Sequence, residues 1–181
     1  MVAFDMSISQ LITSAMPHNT FMDMFFSLFA LRGALAYLWA LPVLFVFTYE
    51  EVHHHMFIVR MSIVTVTNYA LFTLLKILIA RPRPFLQAGT VLFNKQLSLA
   101  CPTDFSFPSG HATIAVGVAV VMAQTDKKRR MLYYVLAFLI CLSRIYLQCH
   151  YVGDVISGAI LGYVVAIIVC KYVRVPKKKK V

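Results

Sequence analysis

KILIARPRP at residues 76–84, PSGH at 108–111 and SRIYLQCHYVGD at 143–154 each fall where a strongly apolar run begins or ends. Between them they hold Lys76, Arg83, Arg144, His111, His150 and Asp154. Proline cannot donate a helical hydrogen bond and clashes with the preceding turn, so Pro82 and Pro84 stop the run before them. Proline also suits a first helical position, so Pro108 restarts a helix with Ser109, Gly110 and His111 in its first turn. Cations and histidines held beside a hydrocarbon layer, next to first-turn amides that lack internal partners, point to an anion site.

Outward from these stretches, apolar runs occupy 20–47, 56–80, 108–123, 131–146 and 150–172. About 20 residues cross a bilayer core, which makes 20–47 one tilted span or, broken at Arg32-Gly33, a re-entrant helix followed by a span. The expected fold is all-α: a polytopic membrane helix bundle of five or six transmembrane helices in a single domain covering 1–181. Residues 1–16 read as an interfacial helix with Phe4, Ile8, Leu11, Ile12 and Ala15 on one face and Pro17 as its stop. Residues 85–107 form an outer loop long enough to be functional. Gly153, Gly158 and Gly162, with Ser157 and Ala159, allow close helix packing in lipid.

The chain is 60% hydrophobic with 13% charged residues, and its mean hydropathy is +0.77. Soluble domains are about 45–50% apolar, so this is the composition of an integral membrane protein. The net charge of +10 comes from a turn, Lys127 to Arg130, and from Lys171, Arg174 and Lys177 to Lys180 in a basic tail at 174–181. Both clusters lie at span ends, where they orient the chain and contact anionic headgroups. No aromatic-basic platform accompanies them, which excludes a nucleic-acid partner. Two spans separate the basic turn from the tail, so both are cytoplasmic by the positive-inside rule, and 76–111 and 143–154 share the outer side. Met1 to Thr20 lacks a basic start followed by an apolar run, so no cleavable signal peptide is expected. Among four cysteines, Cys101 and Cys149 share the outer side and a disulfide between them is conceivable, although small membrane-helix residues are the plainer reading.

Several charged residues have ordinary explanations. Arg32 reads as a bundle-facing or snorkelling charge, and Arg81 as headgroup snorkelling. Glu50 to His55 (EEVHHH) reads as a solvated turn, because consecutive side chains on a helix diverge too widely for one ion. Lys76, Arg83 and Arg144 together form a phosphate cradle: arginine presents a planar fork and lysine a mobile point charge. His150 and Asp154, spaced i, i+4, project from one helix face. An aspartate accepting from one ring nitrogen leaves the other free to attack, and His111 on another helix can protonate a departing alkoxide.

Lys76-x6-Arg83-Pro84, Pro108-Ser109-Gly110-His111 and Ser143-Arg144-x5-His150-x3-Asp154 together resemble the three-part signature of the type 2 phosphatidic acid phosphatase (PAP2) superfamily, which also includes vanadium haloperoxidases and bacterial acid phosphatases. The resemblance implies a metal-independent lipid phosphatase without cofactor, working through a phosphohistidine. It casts His150 as nucleophile, Asp154 as its orienting partner and His111 as acid and then base. Lys76, Arg83, Ser109, Gly110 and Arg144 would hold the phosphoryl oxygens, with Ser143 serving packing. Small members of the family act on undecaprenyl (polyprenyl) diphosphate, the favoured substrate here, or on phosphatidylglycerophosphate, phosphatidate or lipid A phosphate. The expected location is a bacterial inner membrane with the site on its outer face. In a eukaryote, Lys178 to Val181 would resemble an endoplasmic reticulum retrieval signal and favour dolichyl diphosphate. A transporter, a haloperoxidase and a non-catalytic lipid-binding protein are the competing readings.

Overall fold

In the computed structural model, residues 2–29, 39–44, 48, 54–87 and 101–173 are described. Arg32, most of the EEVHHH stretch, the number of crossings in 20–47, the middle of the 85–107 loop and the basic tail lie outside them. Most of the described residues are helical, with no strand among them. In chain order the helices are α1 (Val2–Ala15), α2 (Thr20–Leu28), α3 (His54–Ile79), α4 (Gly110–Thr125), α5 (Arg130–Tyr146) and α6 (Val152–Tyr172), with a 3-10 turn at Pro84–Leu86. Residues 39–44 are also helical.

The apolar core runs through Val64, Ala115, Ala119, Met122, Ile140 and Ala166, joining α3, α4, α5 and α6. Helices α4 and α6 cross so closely that a Cβ on Gly162 would stand 2.1 Å from the Thr113 carbonyl oxygen, and one on Gly158 2.5 Å from that of Ser109. Small residues there let the backbones touch. The bundle exterior is apolar as well: Val66, Ile77, Met131, Phe138, Ile160 and Ile168 are all exposed. An apolar coat of this extent marks a surface that meets lipid. The chain segments Met56–Leu86 and Val152–Tyr172 are long and apolar enough to cross a membrane. Helices α4 and α5, at 16 and 17 residues, are shorter.

The helices alternate in direction. Arg60, near the start of α3, donates to the carbonyls of Val173 (2.7 Å) and Cys170 (3.2 Å), closing the C-terminal end of α6. At that same end the basic turn joins α4 to α5. The end of α3, the starts of α4 and α6 and the end of α5 therefore meet at the other end, where the three signature stretches lie.

One expectation about local structure is corrected, and one left open is decided. Pro108 lies outside the helix: it follows a cis peptide bond, and α4 begins only at Gly110, with Ser109 as N-cap. On α1 the face turned to the bundle is Asp5, Ser9 and Thr13, whereas Phe4 and Leu11 are 73% and 69% exposed. Ser9 and Thr13 have protein partners to bond, so the polar stripe faces inward; of the apolar residues, Phe4 and Leu11 face out while Ile12 packs against the Ala112, Ile145 and Val155 cluster.

Candidate active site

Helix α3 is followed by Ala80, whose φ of 48° lies in the left-handed region. That conformation is costly for a residue with a side chain, and it turns the chain sharply. The proline-interrupted segment beyond then carries Arg81 and Arg83 back over the end of the bundle. Lys76, one turn before the end of α3, points to the same place.

A cavity of about 280 Å³ opens here, with Lys76, Arg83, Asp104, Gly110, His111 and His150 in its lining. Tyr69, Phe72 and Ile114 give it an apolar wall. Arg83 is 1% exposed and fully engaged. Its Nε donates to the Asp104 carbonyl (2.7 Å), Nη2 to Asp104 Oδ1 (2.5 Å) and Nη1 to the Cys149 carbonyl (2.8 Å). The same Nη1 lies 3.1 Å from His150 Nε2. Lys76 Nζ pairs with Asp104 Oδ2 at 2.9 Å and donates to the Phe105 carbonyl. One carboxylate thus spans both cations beside the ring of His150. Burial works to raise the pKa of Asp104, but the hydrogen bond from Lys76 and the charge of Arg83 overcome it and hold the group below the usual carboxylate range.

His150 is not on a helix. It precedes Tyr151, the N-cap of α6, and Asp154 folds back from the first turn to accept the Tyr151 amide at 3.0 Å. The two residues meet through this cap, not through a shared helix face. Asp154 Oδ2 and His150 Nδ1 are 3.7 Å apart, beyond ordinary hydrogen-bond reach. The Ser106 hydroxyl joins them, donating to Asp154 Oδ2 and lying 3.4 Å from His150 Nδ1. Burial pushes the imidazole of His150 down to about 4, with Asp154 opposing the shift and the charges of Arg83 and Lys76 adding to it. The ring is therefore neutral at neutral pH, with an unprotonated nitrogen available.

Other expected site residues stand one layer back. The Ser109 hydroxyl accepts from the Ala112 amide (3.5 Å), and its own amide donates to the Asp154 carbonyl (3.0 Å), so that amide is already committed. Arg144 is 1% exposed and is not among the cavity's lining residues. Its Nη2 donates to the Phe29 carbonyl (2.6 Å), and Nε and Nη2 both donate to Ser143 Oγ (3.0 Å). The Arg144 carbonyl accepts from the amides of Cys149 (3.0 Å) and His150 (3.3 Å). In this state Arg144 shapes the chain that carries His150.

Arg81 is not a headgroup anchor. Its Nη1 bonds Asp154 Oδ1 at 2.6 Å and its Nη2 pairs with Asp5 Oδ2 at 2.8 Å. A charge this far from solvent needs buried partners, and both carboxylates supply them. Cys101 and Cys149 form a disulfide with Cα atoms 5.5 Å apart, tying the loop ahead of Ser106 to the residue before His150. Sequence reasoning also missed Ser106 and Asp104. The signal available was that Asp104 is one of only seven acidic residues in an apolar chain, close ahead of PSGH.

The sequence model of the PAP2 superfamily matches residues 57–178, and the chain belongs to that superfamily. Two solved structures share the fold over nearly the whole chain. Aquifex aeolicus LpxE has a TM-score of 0.67 and 29% identity, covering 92% of this chain and 94% of its own. The transmembrane PAP2-type phosphatidylglycerolphosphate phosphatase of Bacillus subtilis has a TM-score of 0.66 and 26% identity, covering 92% and 84%. With these neighbours and its apolar exterior, the chain is an integral membrane protein. The undecaprenyl-diphosphatase of Sulfolobus acidocaldarius is 42% identical over 62 residues, 34% of this chain and 30% of the relative. The aligned stretch thus spans about a third of that curated relative.

Proposed function

We propose that the protein is a metal-independent membrane lipid phosphatase working through a phosphohistidine. The observation that carries this reading is the carboxylate of Asp104, which bridges Lys76 Nζ and Arg83 Nη2 while Arg83 Nη1 lies beside His150 Nε2. A site that already holds one planar oxyanion between two cations, next to a neutral imidazole, suits a phosphoryl group. The cavity is also two-faced, with Tyr69, Phe72 and Ile114 opposite the cations. Tyr69 is 62% exposed on the bundle exterior, so the apolar wall continues onto the lipid-facing surface. This arrangement suits a headgroup in the cavity and a tail in the bilayer.

In the reaction, His150 Nε2 attacks phosphorus, the N–P bond forms, and the bond from phosphorus to the lipid oxygen breaks. His111 gives its proton to that oxygen. Neutral His111 then takes a proton from water, the water oxygen attacks phosphorus, and the N–P bond breaks to release inorganic phosphate and restore His150. Lys76 and Arg83 stabilise the charge that gathers on the equatorial oxygens. Arg144 and the Gly110 end of α4 complete the cradle when substrate displaces Asp104. The favoured substrate is a polyprenyl diphosphate, the class named for the Sulfolobus relative, with phosphatidylglycerophosphate as the alternative named for the Bacillus structure. The site belongs on the outer face of the membrane. The exposed Lys127, Lys128 and Arg130 at the opposite end suit a cytoplasmic side, and the Cys101–Cys149 disulfide suits an oxidising one.

The test is phosphate release in detergent with EDTA over a panel of polyprenyl diphosphate, phosphatidylglycerophosphate, phosphatidate and a soluble phosphate ester. Wild type is expected to turn over a lipid substrate in chelator, and His150→Ala to lose at least about 10³-fold in kcat, the scale for removing a nucleophile. Turnover abolished by EDTA, or a His150→Ala variant with wild-type kcat, would defeat the phosphohistidine mechanism. Equal efficiency on the soluble ester would defeat the lipid assignment.

A further inference from the structure

The first two amides of α6 are capped from a distant part of the chain. The Val152 amide donates to Ser9 Oγ (2.9 Å) and the Gly153 amide to Asp5 Oδ1 (3.0 Å), partners 143 and 148 residues away on α1. The fit is close: a Cβ on Gly153 would stand 2.6 Å from Asp5 Oδ2. Asp5 Oδ2 also pairs with Arg81, whose guanidinium lies 3.9 Å over the Tyr151 ring and bonds Asp154 Oδ1. A continuous line of alternating charge therefore runs from Asp5 through Arg81 to Asp154, and from there through Ser106 to His150. Asp5 and Arg81 are both outside the signature, and both are largely buried.

Resting on the phosphatase reading above, we propose that Asp5 and Arg81 are positioning residues and that α1 is a brace for the reaction centre. Arg81 holds one oxygen of Asp154 so that the other faces Ser106 and His150 Nδ1. Asp5 holds Arg81 and pins the start of α6. Neither residue touches the phosphoryl group. Their loss therefore acts on the orientation and protonation of His150 and leaves the cradle of Lys76 and Arg83 intact.

The experiment compares Arg81→Gln, Arg81→Lys, Asp5→Asn and the Arg81→Gln/Asp5→Asn double variant with wild type in the lipid-phosphate assay. The readouts are kcat, KM, the pH dependence of kcat/KM and inhibition by vanadate. Asparagine keeps an oxygen to accept the Gly153 amide, so Asp5→Asn isolates the ion pair from the helix cap. Arg81→Gln is expected to lower kcat by about 30-fold with KM and vanadate inhibition within about twofold, Arg81→Lys to recover much of that loss, and Asp5→Asn to lower kcat by about fivefold. Because Asp5 acts through Arg81, the double variant should be no worse than Arg81→Gln. The groups facing His150 are Lys76 from α3, Arg83 from the segment after it, His111 from α4 and Asp154 from α6, while the Arg144 guanidinium of α5 is turned to Ser143 and Phe29. Arg81 stands behind this set, paired with Asp154; its removal leaves the Asp154 charge less compensated, which favours the protonated ring and moves the acid limb of kcat/KM to higher pH. Arg81→Gln with wild-type kcat and acid limb would overturn the proposal. So would a loss confined to melting temperature, or one shared equally by KM and vanadate inhibition. Should Arg81→Gln fail to fold, Arg81→Lys and Asp5→Asn decide, and wild-type kcat in both would overturn it. A wild type inert on every lipid in the panel would instead overturn the phosphatase reading itself, and this role with it.

Discussion

Asp126 and Asp154 lie at opposite ends of the bundle, are 3% and 0% exposed, and each binds an arginine. Their partners come from different distances. Asp126 takes the amides of Lys128 (3.1 Å) and Arg129 (3.2 Å), the Arg129 Nε (2.6 Å) and the Tyr133 hydroxyl (2.5 Å), all within seven residues. Asp154 is reached by Ser106 and Arg81 from 48 and 73 residues away. The Asp126 cluster completes the turn that leads into α5. The Asp154 cluster exists only because four helix ends meet. Hollows occur at both ends as well. The one beside Arg129 and Tyr133 is the larger, about 590 Å³, and its wall is largely apolar, with Leu41, Pro42, Leu44 and Leu132. The one beside His150 is about 280 Å³ and is lined by cations and histidines. Size therefore does not identify the site; convergence of chemistry from distant segments does.

The largest expected effect tests this contrast directly. Asp154→Asn should lower kcat by a factor on the order of 10³–10⁴, the scale for losing an orienting carboxylate. Asp126→Asn should leave kcat within about threefold and cost about 1–3 kcal/mol of stability through weakened charge-assisted bonds. Phosphate release and thermal melting in detergent separate the two, and the contrast fails if Asp126→Asn is as inactive as Asp154→Asn.

A smaller effect sharpens the comparison within the active end. On the proposed mechanism Asp104, paired with Lys76 and Arg83, competes with substrate for them, so Asp104→Asn should bind vanadate about tenfold more tightly, as for about 1.4 kcal/mol of competing interaction removed. Weaker vanadate inhibition would instead make Asp104 a permanent part of the cradle. The smallest effect is on pH. A His150 imidazole pushed down to about 4 stays neutral through the mildly acidic range. The acid limb of kcat/KM should therefore lie near pH 4, well under the ordinary histidine value of about 6.5. A bound phosphate dianion favours the protonated ring, so the limb of kcat itself should lie higher. An acid limb of kcat/KM at the ordinary value would show that the ring is more hydrated than its burial implies.

Much of the architecture was legible because membrane helices announce themselves by apolar runs and their ends by proline and charge. The ends of α1, α3, α5 and α6 fall close to where those signals put them. Expectations failed where a choice depended on distant neighbours. Which face of α1 turns inward was not legible, because its polar residues Asp5, Ser9 and Thr13 have partners on the far side of the sequence. Arg81 looked like a lipid anchor because nothing adjacent to it is acidic. The cysteine pair was open until the loop at Cys101 was seen against Cys149.

By itself the sequence determined which residue types stand at the helix ends, since hydrophobicity sets span length and proline sets the stops. Those are local properties that need no neighbour. Only the tertiary structure decided that Asp104 lies across Lys76 and Arg83, that Ser106 joins Asp154 to His150, and that Asp5 and Arg81 stand behind them. Buried charges must find opposite charges and donors wherever the packing of the helices brings them, and that packing is a property of the whole bundle.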